Sequence, residues 1–335
     1  MKALVFHAPG GLSNVTMDDM RDPGEPPAGH IRVEIQATSL NGHDYAVAMG
    51  RLPTTDGRIL MTDGAGIVAA LGDGVADFSI GDHVVSTFFP DWQDGAPTST
   101  GFQHTPGDGV DGYGVMVVVR PAGWFTPAPK HWSFVETATI PTAGLTAWRA
   151  VVTEGGVKAG DSVLVLGTGG VSILAMQLAT ELGAQVIVTS SSEEKLERAR
   201  QLGAMATINY RTCTDWGAEV RKQTGGRGVD LVVETAGPGT LAQSINATRI
   251  GGRIVLLGVL TGLAGTVPIS AIIARQIRLQ GITVGSRALQ LEMVAALEKM
   301  AFRPVIDTTF PFVNAIDAFR FQECGAHFGK ICLEL

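Results

Sequence analysis

Gly167, Thr168, Gly169 and Gly170 follow a short apolar run, 162–166, and precede a stretch, 171–182, whose apolar residues recur at helical spacing. Strand, glycine turn and helix in that order suit a dinucleotide. A first glycine permits the tight turn, a second lets the backbone approach a pyrophosphate, and the helix that begins near Val171 points its N–H groups at the negative charge. Ser172 stands where the third glycine of G-x-G-x-x-G would fall. Glycine at such turns also serves φ > 0 alone, so the flanking signals matter. Gly183 occupies an expected helix C-cap, and 185–189 is a second buried strand. Hydride chemistry on a nicotinamide cofactor is the leading expectation.

An acidic residue about 20 positions past the first glycine would accept from the ribose 2′-OH of NAD. Here Thr189, Ser190, Ser191 and Ser192 stand there instead. A 2′-phosphate meets no like charge at these positions, and the hydroxyls and Lys195 can donate to it, with Tyr210 and Arg211 as additions after the next strand. NADP is therefore favoured over NAD. The same serines also fit a helix cap, as Ser190 with Glu193 or Ser191 with Glu194, and both roles can coexist. Glu193 and Glu194 would repel a phosphate if they faced it.

These residues have to be positioned by a chain of 335 residues, 45% hydrophobic and 17% charged, which is long enough for two domains. A net charge of −7 without basic runs argues against nucleic acid or an anionic membrane as partner. No leader-like segment is read at the start, and no apolar stretch reaches spanning length. Cys213, Cys324 and Cys332 are too scattered for a disulfide framework or a thiolate cage. A cytoplasmic location fits.

The first part of the chain reads as short strands, 3–6, 31–37, 66–71, 83–86 and 115–119, separated by Gly, Pro and Asp. From Trp132 helices alternate with buried strands at 162–166, 185–189, 207–209, 231–235, 253–258 and 278–283, which predicts an α/β doubly wound parallel sheet. The tail reads as helices at 289–300 and 313–324 and a strand at 330–334. The polar, glycine-rich stretch 91–114 reads as a lid or an interface arm.

Asn41-Gly42-His43-Asp44, Asp63-Gly64-Ala65-Gly66, Gly81-Asp82-His83-Val84, the stretch from Pro141 to Ala147, the Gly167 turn and His327-Phe328-Gly329-Lys330 together resemble the medium-chain dehydrogenase/reductase superfamily. Within it they resemble the zinc-independent, quinone oxidoreductase-like branch. The resemblance implies a Rossmann domain, 128–278, inserted into a β-rich GroES-like catalytic domain made of 1–127 and 279–335, with the active site in the cleft. It implies that Thr146 approaches the nicotinamide ribose or carboxamide. Leu257, Gly258 and Val259 end the strand beneath the ring, and 234–237 passes near the adenosine. Gly285, Ser286 and Arg287 return to the catalytic domain, and Lys330 closes over the cofactor. A homodimer formed through an edge strand, 253–262, fits the family.

Zinc-dependent relatives place a cysteine at Asn41, a histidine at Thr62 and a third thiolate at Thr142. None of these residues is a zinc ligand by type. The four-cysteine lobe of those relatives has no cysteine here within 91–114, so both metal sites are expected to be absent. Asp44, Asp63, His43 and His104 lack tight ligand spacing and read as ordinary polar residues. Without a Lewis acid the developing charge falls to hydrogen-bond donors, with Asn41, His43, Tyr45 and Thr62 as candidates. His43 lies where metal-dependent relatives place a hydroxyl proton relay, and a histidine bonded to backbone near the cofactor ribose is equally consistent. Asp44 is expected to orient its neighbours. Phe88, Phe89 and Trp92 read as packing under the long loop or as the wall of a planar acceptor site.

Three functions follow as expectations. The first is an NADPH-dependent reductase of a quinone or an α,β-unsaturated carbonyl, because conjugation spreads the developing charge. The second is a metal-free alcohol dehydrogenase or ketone reductase. The third is a cofactor-binding sensor or structural protein with little turnover.

Overall fold

In the computed structural model, which describes residues 1–335, the buried apolar runs of the middle of the chain pair into a six-stranded parallel sheet. Its spatial order is Ala206–Asn209, Gln185–Ser190, Ser162–Leu166, Val229–Glu234, Thr248–Leu256 and Arg278–Gly281. Numbered along the chain, that order is 3-2-1-4-5-6, the doubly wound arrangement that binds ligands outside the strands' carboxyl ends where the order reverses. Ser162–Leu166 and Val229–Glu234, on either side of that reversal, are buried at every residue, as strands covered on both faces must be. Leu164, Ile187, Val232 and Ile254 form a core with Trp216 and Val220 of the helix Trp216–Gln223.

The chain divides into two compact units, Thr146–Thr283, which holds this sheet, and Met1–Leu145 with Val284–Leu335. Residues 128–145, expected with the nucleotide domain, lie in the other unit. Phe134, Val135 and Ala138 pack on Ala37 and Ala65, so apolar burial fixes the boundary later than the onset of helical spacing suggests.

That other unit is β-rich. Its larger sheet runs Ile306–Pro311, Lys330–Glu334, His30–Ser39, Ala65–Leu71, His83–Ser86 and Phe125–Pro127, with Val117–Pro121 also pairing His30–Ser39. The long central strand His30–Ser39 is the spine, and two registers along it matter for the chemistry. Cys332 stands opposite Ser39, and Ala65 stands opposite Ala37, so Lys330 and Asp63 are both carried to the end of this strand.

Four strands escape the sequence reading: Arg58–Ile59 and Phe125–Pro127, too short to carry a pattern, and Val15–Asp19 and Ile306–Pro311. Val15–Asp19 buries only its first residue, and Ile306–Pro311 buries none and carries Asp307 and Pro311, so neither shows the alternation of a half-buried strand. The stretch 91–114 is not structureless: Ser99–Phe102 forms a 3₁₀ turn and Pro106 bridges to Val110. No helix is long and apolar enough to cross a membrane.

Candidate active site

The Gly167 turn is built as the residue types require. Gly167 has φ 74°, the left-handed region, and Gly169 precedes the helix Gly170–Glu181. No side chain caps that helix, and a Cβ at Gly169 would meet nothing within 4 Å, which leaves the first N–H groups open to an anion. Ser172, in the third glycine position, turns its hydroxyl back to donate to Leu166 O at 2.7 Å. A small side chain with its polar atom satisfied is thereby tolerated where close packing usually demands glycine. Thr235 donates to the same carbonyl at 2.9 Å and ties the two strand ends at the reversal point together. Beyond them the backbone crosses closely: a Cβ on Gly258 would stand 1.8 Å from Thr235 O. Glu234 is fully buried and accepts from the N–H groups of Ala236 and Gly237 and from the hydroxyls of Thr240 and Ser244, so it shapes this turn. These groups fit a dinucleotide, whose pyrophosphate Gly167 to Val171 would hold.

At the end of Gln185–Ser190 the cap falls on a different serine from those expected. Ser192 accepts from Lys195 N at 3.3 Å, while Ser190 is buried and accepts from Ser192 N at 3.4 Å. Glu193 accepts from Asn209 Nδ2 at 2.6 Å, an acceptor role that leaves its carboxylate tied to the next strand. Ser191 and Lys195 are half-buried, and Tyr210 is exposed. Thr146 and Thr168 are buried, and Val259 is exposed. Ser286 is buried and caps the helix Arg287–Leu297 by accepting from Leu289 N at 3.3 Å. Gly285 packs on Leu145, where a Cβ would come within 3.1 Å of the side chain.

Asn41, Thr62 and Thr142, distant in sequence, meet in the β-rich unit. The Thr62 and Thr142 hydroxyl oxygens are 3.3 Å apart, and Asn41 Nδ2 lies 3.3 Å from Thr62 Oγ1. Each has its own positioning element. Asn41 is the N-cap of the helix Gly42–Ala48. Thr142 lies in a π-helical turn, Ile140–Gly144, a local irregularity common at functional sites. Thr62 follows Met61, whose φ of 77° is strained for a side chain of that size and directs the Thr62 N–H at Asp44.

Two carboxylates and one ammonium complete the cluster. Asp63 accepts from Ser39 Oγ (2.6 Å), Thr142 Oγ1 (2.6 Å) and Asn41 Nδ2 (2.7 Å). Asp44 accepts from Asn41 N (2.8 Å), Asn41 Nδ2 (3.0 Å), Thr62 N (2.8 Å) and Thr62 Oγ1 (3.0 Å). Lys330, only 2% exposed, donates to Leu40 O at 2.7 Å and Asn41 Oδ1 at 2.6 Å and stands 3.9 Å from Asp63. Burial and the neighbouring Asp63 charge push the Asp44 pKa up. As expected, Asp44 orients its neighbours.

The donor set does not fit a zinc ion. An amide and two hydroxyls stand at the three positions, a lysine ammonium already occupies the Asn41 oxygen, and no group of three or more His, Cys, Asp or Glu side chains is arranged to hold a metal. The same saturation engages two of the candidate donors within the cluster. Asn41 has two amide protons for two carboxylates, and Thr62 directs its one proton within the cluster. Lys330 also belongs to this cluster, because its strand pairs antiparallel with His30–Ser39. Tyr45 does not join it. Its hydroxyl donates to Glu323 at 2.6 Å and its ring meets Phe319.

His43, one residue before Asp44, keeps 21% of its side chain exposed and places its ring edge-on to Phe88 at 5.3 Å. Phe88, Phe89 and Trp92 are buried, so the aromatic cluster packs the loop. No local pattern marks Asp108, whose Oδ2 lies 3.3 Å from His43 Nε2.

A family model described as an alcohol dehydrogenase GroES-like domain matches residues 27–130, and one described as a zinc-binding dehydrogenase matches residues 170–301. A zinc-type alcohol dehydrogenase-like protein of Schizosaccharomyces pombe is 38% identical over 100% of this chain and 99% of its own. A solved NAD-dependent alcohol dehydrogenase is 36% identical, with TM-score 0.90 and all of both chains covered. A solved 2-haloacrylate reductase is 27% identical, with TM-score 0.81 over 100% of this chain and 99% of that one. The likeness spans both units, and the chain belongs to the medium-chain dehydrogenase/reductase superfamily and is an oxidoreductase.

Proposed function

We propose that the protein is a zinc-independent reductase that uses NADPH to reduce a quinone or an α,β-unsaturated carbonyl. The observation that carries this reading is the self-saturated cluster of Asn41, Thr62, Thr142, Asp44, Asp63 and Lys330 at the positions of the zinc ligands. With its donors turned inward, the cluster supplies no Lewis acid and little hydrogen bonding to an alkoxide, whereas a conjugated acceptor disperses its own charge. The likeness to a 2-haloacrylate reductase supports the same choice of acceptor.

Gly167, Thr168, Gly169, Gly170 and Val171 hold the pyrophosphate on this reading. Ser191 and Lys195, with Tyr210 beside them, receive the 2′-phosphate, a choice helped by the absence of a carboxylate at that strand end and by the engagement of Glu193 with Asn209. The bound dihydronicotinamide supplies a hydride. His43, partly exposed beside the cluster, supplies the proton.

The protein works as a homodimer in the cytoplasm on the same reading. The strand expected at the edge, 253–262, is instead paired on both sides, by Val229–Glu234 and Arg278–Gly281, and Arg278–Gly281 is the sheet edge, exposed at all four residues and flanked by exposed Ile269 and Ile273; all three cysteines are unpaired. The second reading, a metal-free alcohol dehydrogenase or ketone reductase, is favoured by the 36% identity to an NAD-dependent alcohol dehydrogenase.

Steady-state oxidation of NADPH and NADH with a quinone, an enone and a saturated ketone separates the two. Faster turnover of the conjugated acceptors with NADPH, unaffected by chelators, is expected. Preference for the ketone with NADH carries the second reading, and tight NADPH binding without turnover overturns both.

A further inference from the structure

Within the glycine-rich stretch 91–114, one short turn is tightly built. Gly107 N donates to Val110 O at 2.8 Å and Val110 N donates to Thr105 O at 3.1 Å. Thr54 Oγ1 donates to Asp108 O at 2.9 Å, and Arg58 reaches Gly109 O and Asp111 Oδ1. The turn is thus pinned from both sides of its tip. Asp108 Oδ1 accepts from Gly109 N at 2.6 Å, which leaves Oδ2 toward His43 Nε2 at 3.3 Å. Both side chains are mostly buried, at 21% and 23% exposure. The two atoms are at ion-pair distance but out of line for a hydrogen bond, so Nε2 is buried with no aligned partner. Such pairs often tighten only when reactants bind.

We propose that Asp108 is the positioning residue of His43: it holds Nε2, leaves Nδ1 to face the acceptor, and stabilises the imidazolium that protonates it. This rests on the reductase reading. When bound at the Gly167 turn, NADPH would supply the hydride and its two electrons to the acceptor's β-carbon and would itself be oxidised. The resulting enolate takes a proton from His43 Nδ1, so one N–H bond breaks, and the neutral imidazole regains a proton from solvent. The charged groups facing His43 are Asp108 from the turn, Asp44 from its own helix and Asp63 from the cluster; Phe88 covers one edge of the ring. Burial alone lowers the His43 pKa, but the Asp108 contact and these carboxylates outweigh it and the net shift is upward.

The test combines a readout without cofactor and one with it. In the protein without NADPH, NMR titration of the imidazole should show the His43 midpoint falling by about one pH unit in Asp108→Asn. With NADPH and an enone, His43→Gln should lower kcat by about 100-fold and Asp108→Asn by about 10-fold. The double variant should be no slower than His43→Gln, Asp108→Glu should recover much of the rate, and KM for NADPH should not change. If Asp108→Asn fails to fold, Asp108→Ser, which keeps an acceptor for Gly109, reads the same midpoint. An unmoved midpoint, or effects that multiply in the double variant, overturns the pairing. A wild type that never turns over an enone defeats the reductase reading and the proton-supply role, while the midpoint still decides whether the two residues are paired.

Discussion

The two chemical regions of this molecule are built on opposite principles. The dinucleotide cradle is almost all backbone: Gly167, Gly169 and Gly258 count for what they lack, and the strand ends meet because nothing stands between them. The cluster in the other unit is almost all side chain, with two buried carboxylates satisfied by an amide, three hydroxyls and a lysine. A backbone site tolerates exchange of what surrounds it, as Ser172 shows by bonding Leu166. A side-chain site does not, since every member leaves a partner stranded.

The largest effect should come from the cluster. Asp63→Ala leaves Lys330 buried beside Asn41 without its nearest carboxylate, and a loss of about 4 kcal/mol in denaturant unfolding is expected. A loss under about 1 kcal/mol would mean that the cluster is not mutually dependent. Next is Gly258→Ala, whose Cβ lands on Thr235 O: a cost of about 3 kcal/mol is expected, with NADPH affinity, read by fluorescence, weakened together with stability.

A third test uses pH. The folded His43 pKa is raised, so the Asp108 contact stabilises fully below the unfolded value near 6.5 and ceases to do so as pH rises through the folded value. The stability gap between wild type and Asp108→Asn should therefore be about 1 kcal/mol at pH near 6 and close in alkaline solution; a gap that widens with pH contradicts the pairing. The smallest effect is Ser172→Gly, which restores the usual glycine. It should cost under about 1 kcal/mol and leave the NADPH dissociation constant unchanged. A tenfold weakening would show that the serine touches the cofactor.

The same contrast explains what could be read from the sequence. The cradle lies within one continuous stretch, so strand, turn and helix were legible from residue order, and the parallel sheet followed from the alternation. Thr142 and Thr62 were placed together only through the family spacing. The place of Lys330 in the cluster was not legible because its neighbours are set by the antiparallel register of Cys332 on Ser39, which no local pattern encodes. The Tyr45 contact was not legible because helix Gly42–Ala48 turns it toward Glu323, a partner 278 residues away. Asp108 was invisible for a related reason: the path of its loop depends on Thr54 and Arg58, distant in sequence, as well as on its own hydrogen bonds.

Lys330 is separated from Asn41 by 289 residues, and that interval has a meaning in time. During synthesis at roughly 5–20 residues per second, Asp44 and Asp63 emerge about 15–60 s before the only ammonium that touches their cluster. The nucleotide-binding sheet, which is continuous in the chain, is complete while the central strand His30–Ser39 still lacks Lys330–Glu334 at its side. A nascent chain should therefore acquire protease-resistant nucleotide-binding structure first and close its β-rich unit only at the end, with the late lysine as the latch.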